Sequence, residues 1–354
     1  FLKALPIALV LFLFFPRIPG PLWSLPDDVN RASTGLSDEM YPGSVTDLAD
    51  SDEIAFRVDF QSSPPAADKL YWRGPVLSET DGFLWTQRTV RPLQQPVDRI
   101  IQQKNNPVFY TVTLEPHQQK WLFTLEMPFH VQGDTIKGFK ITEDLIVENK
   151  TPVNQLTQYR VSSYSDFYLS TAAADELQNA LKLTGTANQR TREMGRQWLQ
   201  ELQLNHTDTA TAIDKYELVV KALDYFRDQP FFYTKKPEVM VDNPADQFLF
   251  DKRRGFCEHY ASSFVILMRS AEIPARVVTG YQGIEKNHLG NYYLVRQSNA
   301  HAWAEVWLEQ RGWVRVDPTS VIPPERIEND IFDTDLERLS YSSLSLLNLP
   351  ELSK

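Results

Sequence analysis

Apolar and polar residues alternate along several short stretches in the first half of the chain. Between residues 54 and 60, every second side chain is Ile, Phe or Val, and the side chains between them are small or charged. This period of two is typical of a half-buried β-strand. Similar stretches, most of them bordered by Pro, Gly, Asn or Asp, occur at 108–114, 120–125, 144–149 and 158–164. They predict an antiparallel, sandwich-like β domain over residues 51–168.

The spacing of apolar residues changes to that of helices after about residue 170. Residues 172–184, 194–202 and 216–226 carry apolar side chains one turn apart. In the stretch that begins at Cys257, apolar side chains cover nearly the whole helix circumference, which predicts a buried central helix ending before Pro274. Four strand-like stretches follow, at 275–281, 291–297, 301–308 and 312–318. Residues 169–330 are therefore predicted to form a second domain, and the fold class is α+β.

The first fifty residues have a different character. Residues 4–15 are uncharged and apolar, and as a helix they would measure about 18 Å, against about 30 Å for the hydrocarbon core of a bilayer. The chain also starts with Phe rather than Met. We interpret residues 1–20 as the end of a transmembrane helix from a longer protein, with a buried core helix as the alternative. Residues 21–50, rich in Pro, Asp and Ser, are predicted to be a linker.

Composition excludes some classes of function. The formal net charge is −10 and no basic block occurs, which argues against nucleic acid as a partner. The chain has one cysteine, so it has no internal disulfide, and this is compatible with either the cytosol or the periplasm. The six histidines show no paired spacing such as HExxH. We therefore expect neither a metal nor a cofactor.

Cys257 lies where the central helix is predicted to begin. A free cysteine is often only a small buried hydrophobic residue. At the first turn of a helix, however, unpaired N–H groups and the helix dipole favour an anion and can lower the pKa of a thiol. The resulting thiolate is a nucleophile, which requires a proton partner.

His301 is the candidate for that partner. His259 is two residues from the cysteine and would point away from it on a helix, whereas His301 shares one strand face with Trp303. Asp317, at the end of the next strand, could orient the imidazole. If Glu309 pairs with Trp313 across the turn, the histidine and the aspartate are about 13 Å apart along the strands, so a bulge, a twist or another pairing must bring them together.

The stretches "GFCEHYASSFVILMRSAEIPARVVTGY" and "AHAWAEVWLEQRGWVRVDPT" resemble the core motifs of the transglutaminase-like superfamily. The chain is more closely similar to the bacterial membrane-anchored TgpA family of transglutaminases. That resemblance also rests on "YWRG" (71–74), "DGFLW" (81–85) and "PPERI" (323–327), and it extends from about residue 50 to 330.

The resemblance implies a papain-like core, in which a buried helix carries Cys257 and an antiparallel sheet carries His301 and Asp317. It implies that these residues act as nucleophile, general base then acid, and orienting group. It also implies further transmembrane helices before the chain and one after it, so residues 331–354 would be a tail toward a C-terminal membrane segment. The soluble region would then lie in the periplasm, on the inner membrane.

The expected activity is that of a protein-glutamine gamma-glutamyltransferase, with a glutamine-bearing protein or peptide and a primary amine as partners. A periplasmic location would make cell-wall peptides possible substrates. Tyr233 is a candidate second oxyanion donor, although a core tyrosine explains it nearly as well, and Trp303 is a candidate shield for the thioester. A cysteine peptidase or amidase acting on cell-envelope peptides with the same triad is the alternative, and a non-catalytic binding scaffold is a third reading.

Overall fold

The protein is described here from a computed structural model. The structure describes residues 35–104, 106–133, 136, 138–169, 172–205, 215–309 and 311–328. They belong to one compact unit that begins at Gly35. The predicted transmembrane end at 1–20, the first part of the predicted linker and the predicted tail at 331–354 lie outside these residues. Within the described ranges, none of the helices combines the length and the apolar character needed to cross a bilayer.

The described strands are mostly short. In chain order they are β1 Glu39–Met40, β2 Ile54–Phe60, β3 Tyr71–Leu77, β4 Glu79–Thr80, β5 Trp85–Thr86, β6 Ile101–Lys104, β7 Val108–Leu114, β8 Trp121–Leu122, β9 Thr124–Leu125, β10 Met127–Gln132, β11 Lys140–Ile141, β12 Val147–Glu148, β13 Thr157–Tyr164, β14 Phe167–Leu169, β15 Phe232–Tyr233, β16 Arg254–Gly255, β17 Ala275–Gln282, β18 Glu285–Lys286, β19 Tyr293–Arg296, β20 Ala300–Leu308 and β21 Gly312–Val316.

The helices cluster in the second half of the chain. The α-helices are α1 Thr46–Ala49, α2 Val97–Ile100, α3 Ala174–Asn179, α4 Gln189–Asn205, α5 Tyr216–Asp228, α6 Pro244–Asp246 and α7 Cys257–Ser270. A π-helical turn at Gln247–Lys252 continues α6. Single 3₁₀ turns lie at Ala67–Lys69, Gln297–Asn299, Pro318–Val321 and Pro324–Arg326.

Two antiparallel sheets form the body of the protein. One has six strands in the order β10-β13-β7-β2-β19-β18, and the other has five in the order β21-β20-β17-β3-β9. Phe56 of the first sheet contacts the rings of Trp72 and Tyr281 of the second at centroid distances of 5.3 and 5.5 Å. The two sheets therefore pack against each other through aromatic side chains, and one continuous apolar core includes both.

The central helix α7 lies against β17 and β20 of the five-stranded sheet. Every residue of α7 except Ser270 is buried, which explains why its sequence is apolar nearly all round. The fold is α+β, with a transglutaminase-like core in which a buried helix packs on an antiparallel sheet, and a strand-rich N-terminal region. The predicted fold class is confirmed.

Each of the two sheets combines strands from the N-terminal and the C-terminal regions of the chain. β3, from the N-terminal region, lies between β17 and β9, while β19, from the C-terminal region, pairs with β2. The domain boundaries at 51–168 and 169–330 stay predictions, but the hydrogen bonding between these regions is continuous.

The hairpin of β20 and β21 has a different register from the expected one. Trp307 pairs with Trp313 and Glu305 with Arg315, so the expected pairing of Glu309 with Trp313 was wrong by two residues. Gly312, at φ +80°, pairs with Leu308 and closes the turn early. This shift brings the end of β21 two residues closer to the start of β20.

Candidate active site

Cys257 is the first residue of α7, as the sequence predicted. The preceding residue, Phe256, is extended, and its backbone N–H donates to Nδ1 of His259 at 3.3 Å. His259 therefore caps the helix start. Its contact is with the backbone before the helix, in agreement with the prediction that it does not pair with the thiol.

The thiol of Cys257 is completely buried. Its Sγ donates toward Oε2 of Glu258 at 3.7 Å and accepts hydrogen bonds from the backbone N–H groups of Glu258 and Ala302. Because Ala302 directly follows His301, the sulfur lies beside the segment of β20 that carries the imidazole.

Burial raises the pKa of the Cys257 thiol well above its usual value, and the nearby carboxylates of Glu258 and Asp317 raise it further. The backbone hydrogen bonds act in the opposite direction but are outweighed. The expectation that the helix start lowers this pKa was therefore wrong. The favourable field of a helix terminus is smaller than the cost of placing an anion in a closed site that already holds carboxylates.

His301 and Asp317 are in direct contact. Nε2 of His301 lies 2.7 Å from Oδ2 of Asp317, and both side chains are buried. Asp317 follows the last residue of β21 and caps the 3₁₀ turn that begins at Pro318. The register of the hairpin and this turn together remove the gap of about 13 Å that the expected pairing left.

The Asp317 carboxylate accepts several further hydrogen bonds. Oδ1 accepts from the backbone N–H and the hydroxyl of Thr319 at 3.0 and 2.7 Å, and Oδ2 accepts from the Tyr71 hydroxyl at 2.8 Å. Burial alone would raise the pKa of Asp317, but the adjacent His301 and the hydrogen bonds from His301, Thr319 and Tyr71 hold it below its usual value. The carboxylate is thus kept ionised inside the protein.

Trp303 stacks next to the imidazole. Its ring centroid lies 6.3 Å from that of His301 at an interplanar angle of 20°, and the side chain is wholly buried. Its indole Nε1 has no hydrogen-bond partner among the described residues. The indole ring of Trp303 therefore forms an aromatic surface next to the His301 imidazole.

Tyr233 lies next to the start of α7 and not on the sheet. It pairs with Gly255 in a short parallel bridge, and its ring packs on Phe256 and Tyr260 at 5.2 and 6.0 Å. These contacts bring it near the helix that begins at Cys257, and its role as an oxyanion donor stays a prediction.

Glu258 links the start of α7 to the segment before β2. Its Oε1 accepts from the backbone N–H of Gly43 at 2.8 Å and from the Thr46 hydroxyl at 3.3 Å. Burial raises the pKa of Glu258 to about 7, although these hydrogen bonds, and one from Cys257, act to lower it.

Sequence reasoning did not identify Tyr71, Gln282, Thr319 or Glu258 as parts of this site. Tyr71 could have been identified, because it is the first residue of the "YWRG" motif. Glu258 and Thr319 also lie inside the quoted motifs, and Thr319 contacts Asp317 only two residues away. Gln282, which donates to the Tyr71 hydroxyl at 2.7 Å, lies outside the motifs, and its contact depends on how distant segments meet. Within the described ranges, no three His, Cys, Asp or Glu side chains are arranged to hold a metal ion.

Two family profiles match the chain. The first, described as the TgpA N-terminal domain, covers residues 1–170, and the second, the transglutaminase-like superfamily, covers residues 202–318. Together they include the strand-rich region and all three of the predicted triad residues.

Individual relatives agree with these profiles. The chain is 40% identical over 360 residues to a protein-glutamine gamma-glutamyltransferase of Pseudomonas aeruginosa, in an alignment that covers 98% of this chain and 51% of the relative. It thus spans about half the length of that relative. A 108-residue stretch is 41% identical to the uncharacterized protein YebA of Bacillus subtilis, covering 28% of this chain and 15% of that protein.

A solved structure extends the similarity to the fold. The crystal structure of the periplasmic domain of TgpA from Pseudomonas aeruginosa matches with a TM-score of 0.75 and 36% identity. The match covers 84% of this chain and 98% of the solved one.

Proposed function

The chain belongs to the transglutaminase-like superfamily and, within it, to the TgpA family; on that premise we propose that it catalyses acyl transfer from protein-bound glutamine through a thioester on Cys257. The observation that supports this most directly is the hydrogen bond of 2.7 Å between His301 and Asp317 beside a buried thiol. The acceptor would be a primary amine, so the activity is that of a protein-glutamine gamma-glutamyltransferase.

In the first half of the reaction, His301 acts as the base. Its Nε2 is engaged by Asp317, which leaves Nδ1 for the proton of the thiol. Because the pKa of the buried thiol is raised, the sulfur is protonated at rest and needs this base when it attacks the glutamine amide carbon. The C–N bond then breaks, ammonia leaves with the proton from the imidazolium, and a thioester remains.

In the second half, a primary amine attacks the thioester. The amine gives its proton to His301, the C–S bond breaks, and the thiolate takes the proton back from the imidazolium. Asp317 stays ionised throughout and holds the ring in the required orientation. Cys257 N–H is the first candidate donor to the oxyanion, and Tyr233 is the proposed second.

Exclusion of water would decide between transfer and hydrolysis. The side chains of Trp303 and Cys257 are both wholly buried, which supports a shielded thioester. We propose that Trp303 forms part of this shield. The soluble region is proposed to lie in the periplasm on the inner membrane, with cell-wall peptides among its possible substrates.

The test is incorporation of a biotinylated primary amine into dimethylated casein, measured alongside release of casein fragments. We expect amine incorporation by the wild-type protein and none by Cys257→Ala. Fragment release without incorporation would replace the transferase by the peptidase or amidase alternative, and the absence of both would leave the scaffold reading.

A further inference from the structure

We propose that Tyr71, from the strand-rich N-terminal region, is a positioning residue that fixes the Asp317 carboxylate for His301; this rests on the proposed function of the triad. The Tyr71 hydroxyl and Nε2 of His301 contact the same oxygen, Oδ2 of Asp317, at 2.8 and 2.7 Å. Tyr71 and Asp317 are 246 residues apart along the sequence, so distant regions of the chain contribute these groups.

The direction of these hydrogen bonds follows from their chemistry. An ionised carboxylate only accepts, so the single proton of the Tyr71 hydroxyl must point to Asp317. The hydroxyl oxygen then accepts from Nε2 of Gln282, which lies 2.7 Å away. Gln282 therefore locks the hydroxyl in its donating orientation, and the amide, the hydroxyl, the carboxylate and the imidazole form one chain of hydrogen bonds.

The ring of Tyr71 is held as firmly as its hydroxyl. It makes an edge contact with Trp303 at 5.3 Å and a tilted contact with His301 at 6.1 Å. The guanidinium of Arg315 lies 3.9 Å from the ring centroid, and Arg315 forms an ion pair with Glu126. Tyr71 is 2% exposed, so water does not compete for its hydroxyl. Burial and the Asp317 carboxylate raise the pKa of the Tyr71 hydroxyl well above its usual value, with Arg315 acting against them, so the hydroxyl keeps its proton.

This arrangement has a consequence for the reaction. Two donors on Oδ2 and two on Oδ1 leave the carboxylate no freedom to rotate away from His301. Without the hydroxyl, the carboxylate would be less firmly ionised and oriented. The imidazole would then support formation of the thiolate less well, which reduces the rate of the chemical step without changing the surface that binds substrate.

The variant Tyr71→Phe tests the proposal because it keeps the ring and removes only the hydroxyl. We expect kcat for amine incorporation to fall about tenfold, with KM changed by less than about twofold. The second measurement is alkylation of the purified protein by iodoacetamide across a pH series. Because Cys257 is the only cysteine, one mass shift reports its reactivity alone. We expect the midpoint of this profile to move to higher pH by about half a unit or more.

Gln282→Leu provides a second variant should Tyr71→Phe fold poorly. It removes the donor that fixes the hydroxyl, and we expect smaller changes in the same directions. Tyr110→Phe and Tyr159→Phe are matched controls, since each removes a buried hydroxyl that bonds elsewhere, to Ser163 and to the carbonyl of Phe123. Both should retain the wild-type kcat and alkylation midpoint.

Two results would overturn the proposal. One is a wild-type kcat and alkylation midpoint in both Tyr71→Phe and Gln282→Leu. The other is a loss of activity that only follows the folded fraction in thermal melts, with the midpoint unchanged, which would make Tyr71 a packing residue. Alkylation does not depend on the substrate, so a failure of amine incorporation in the wild type would refute the proposed function and still leave this test intact.

Discussion

At the scale of single residues, the sulfur of Cys257 is held in a closed and partly acidic environment. Cys257 contacts Glu258 and a backbone N–H of β20, and the side chains around it are buried. A thiol in such surroundings could serve packing or chemistry. The two roles differ in what removal of the sulfur should do.

Cys257→Ala should reduce amine incorporation below detection, by at least about a thousandfold, because no other thiol can form the acyl intermediate. The folded state loses one sulfur atom, so we expect the melting temperature to fall by less than about 4 °C. Activity assays and thermal melts on the same samples check both statements.

Ser263→Ala is a suitable control for this change. Ser263 is buried on the same helix, and its hydroxyl has no hydrogen-bond partner among the described residues. It should melt as the wild type does and keep its activity. A large loss of stability in Cys257→Ala with residual activity would show that the sulfur serves packing.

Glu258 should make stability depend on pH. Its pKa is about 7 in the folded protein and near 4.5 when unfolded, because burial disfavours the carboxylate. An acid whose pKa is raised by folding contributes its full stabilisation below the pKa of the unfolded state. That stabilisation is lost as pH rises through the pKa of the folded state. We expect this one group to cost roughly 3 kcal/mol in free energy of unfolding between pH 4.5 and 8.

Glu258→Gln isolates that contribution. Burial lowers the pKa values of His117 and His259 to about 4. These two groups therefore have the opposite effect, because they reduce the free energy of unfolding as pH falls below 6.5. The quantity to measure is therefore the difference between variant and wild type in urea unfolding at each pH. It should grow in favour of the variant as pH rises. A flat difference for Glu258→Gln would contradict the prediction.

At the scale of elements, the strand β17 is the centre on which the site is built. It pairs with β20, which carries His301, and with β3, which carries Tyr71. Gly280 lies between these two neighbours, where the strands approach closely. A Cβ atom there would lie 2.0 Å from the backbone oxygen of Trp72 and 2.8 Å from the Trp303 ring.

Gly280→Ala should therefore destabilise the protein by about 3 kcal/mol, since backbone atoms of a paired strand cannot move aside cheaply. Urea unfolding measures this loss. Gly290→Ala is the comparison, because the nearest atoms to its Cβ belong to the ring of Tyr292, a partly exposed side chain that can rotate. Equal stability of the two variants would mean that β3 and β17 separate more easily than their pairing suggests.

At the scale of the whole molecule, a buried group of charges joins the N-terminal and C-terminal regions. Arg276 pairs with Asp144 and Glu176 at 2.9 Å and with Glu305 at 2.8 Å. Further cations, Arg73 and Arg88, pair with Glu305 and Asp144. Removal of one partner from such a group leaves an uncompensated charge in the interior.

Asp144→Asn should lower the free energy of unfolding by about 3 kcal/mol or more, because Arg276 and Arg88 then lose a buried partner. Asp175→Asn is the matched control. Asp175 pairs with Arg91 at 2.7 Å, but both side chains are more than half exposed (52% and 65%), so its loss should cost at most about 1 kcal/mol. Urea unfolding at neutral pH compares the two, and similar losses would show that the buried group is not a major link between the regions.

The order of residues in the sequence was enough to predict which segments form helices and strands and which residue is the candidate nucleophile. The stretches with a period of two form the strands β2, β7 and β13, and the apolar stretch after residue 257 forms the buried helix α7. Both could be predicted because the order of apolar and polar side chains shows whether an element is buried on one face or on all sides. The family motifs identified Cys257, His301 and Asp317 for the same reason: each motif is local.

Only the tertiary structure decided how these pieces meet. The contact between His301 and Asp317 depends on the register of the hairpin formed by β20 and β21. The hydrogen bond from the Tyr71 hydroxyl and the raised pKa of the thiol depend on segments far apart along the chain. Hydrogen bonds and desolvation act over a few ångströms in space. The order of neighbouring residues therefore does not predict these contacts, which form only when packing brings the segments together.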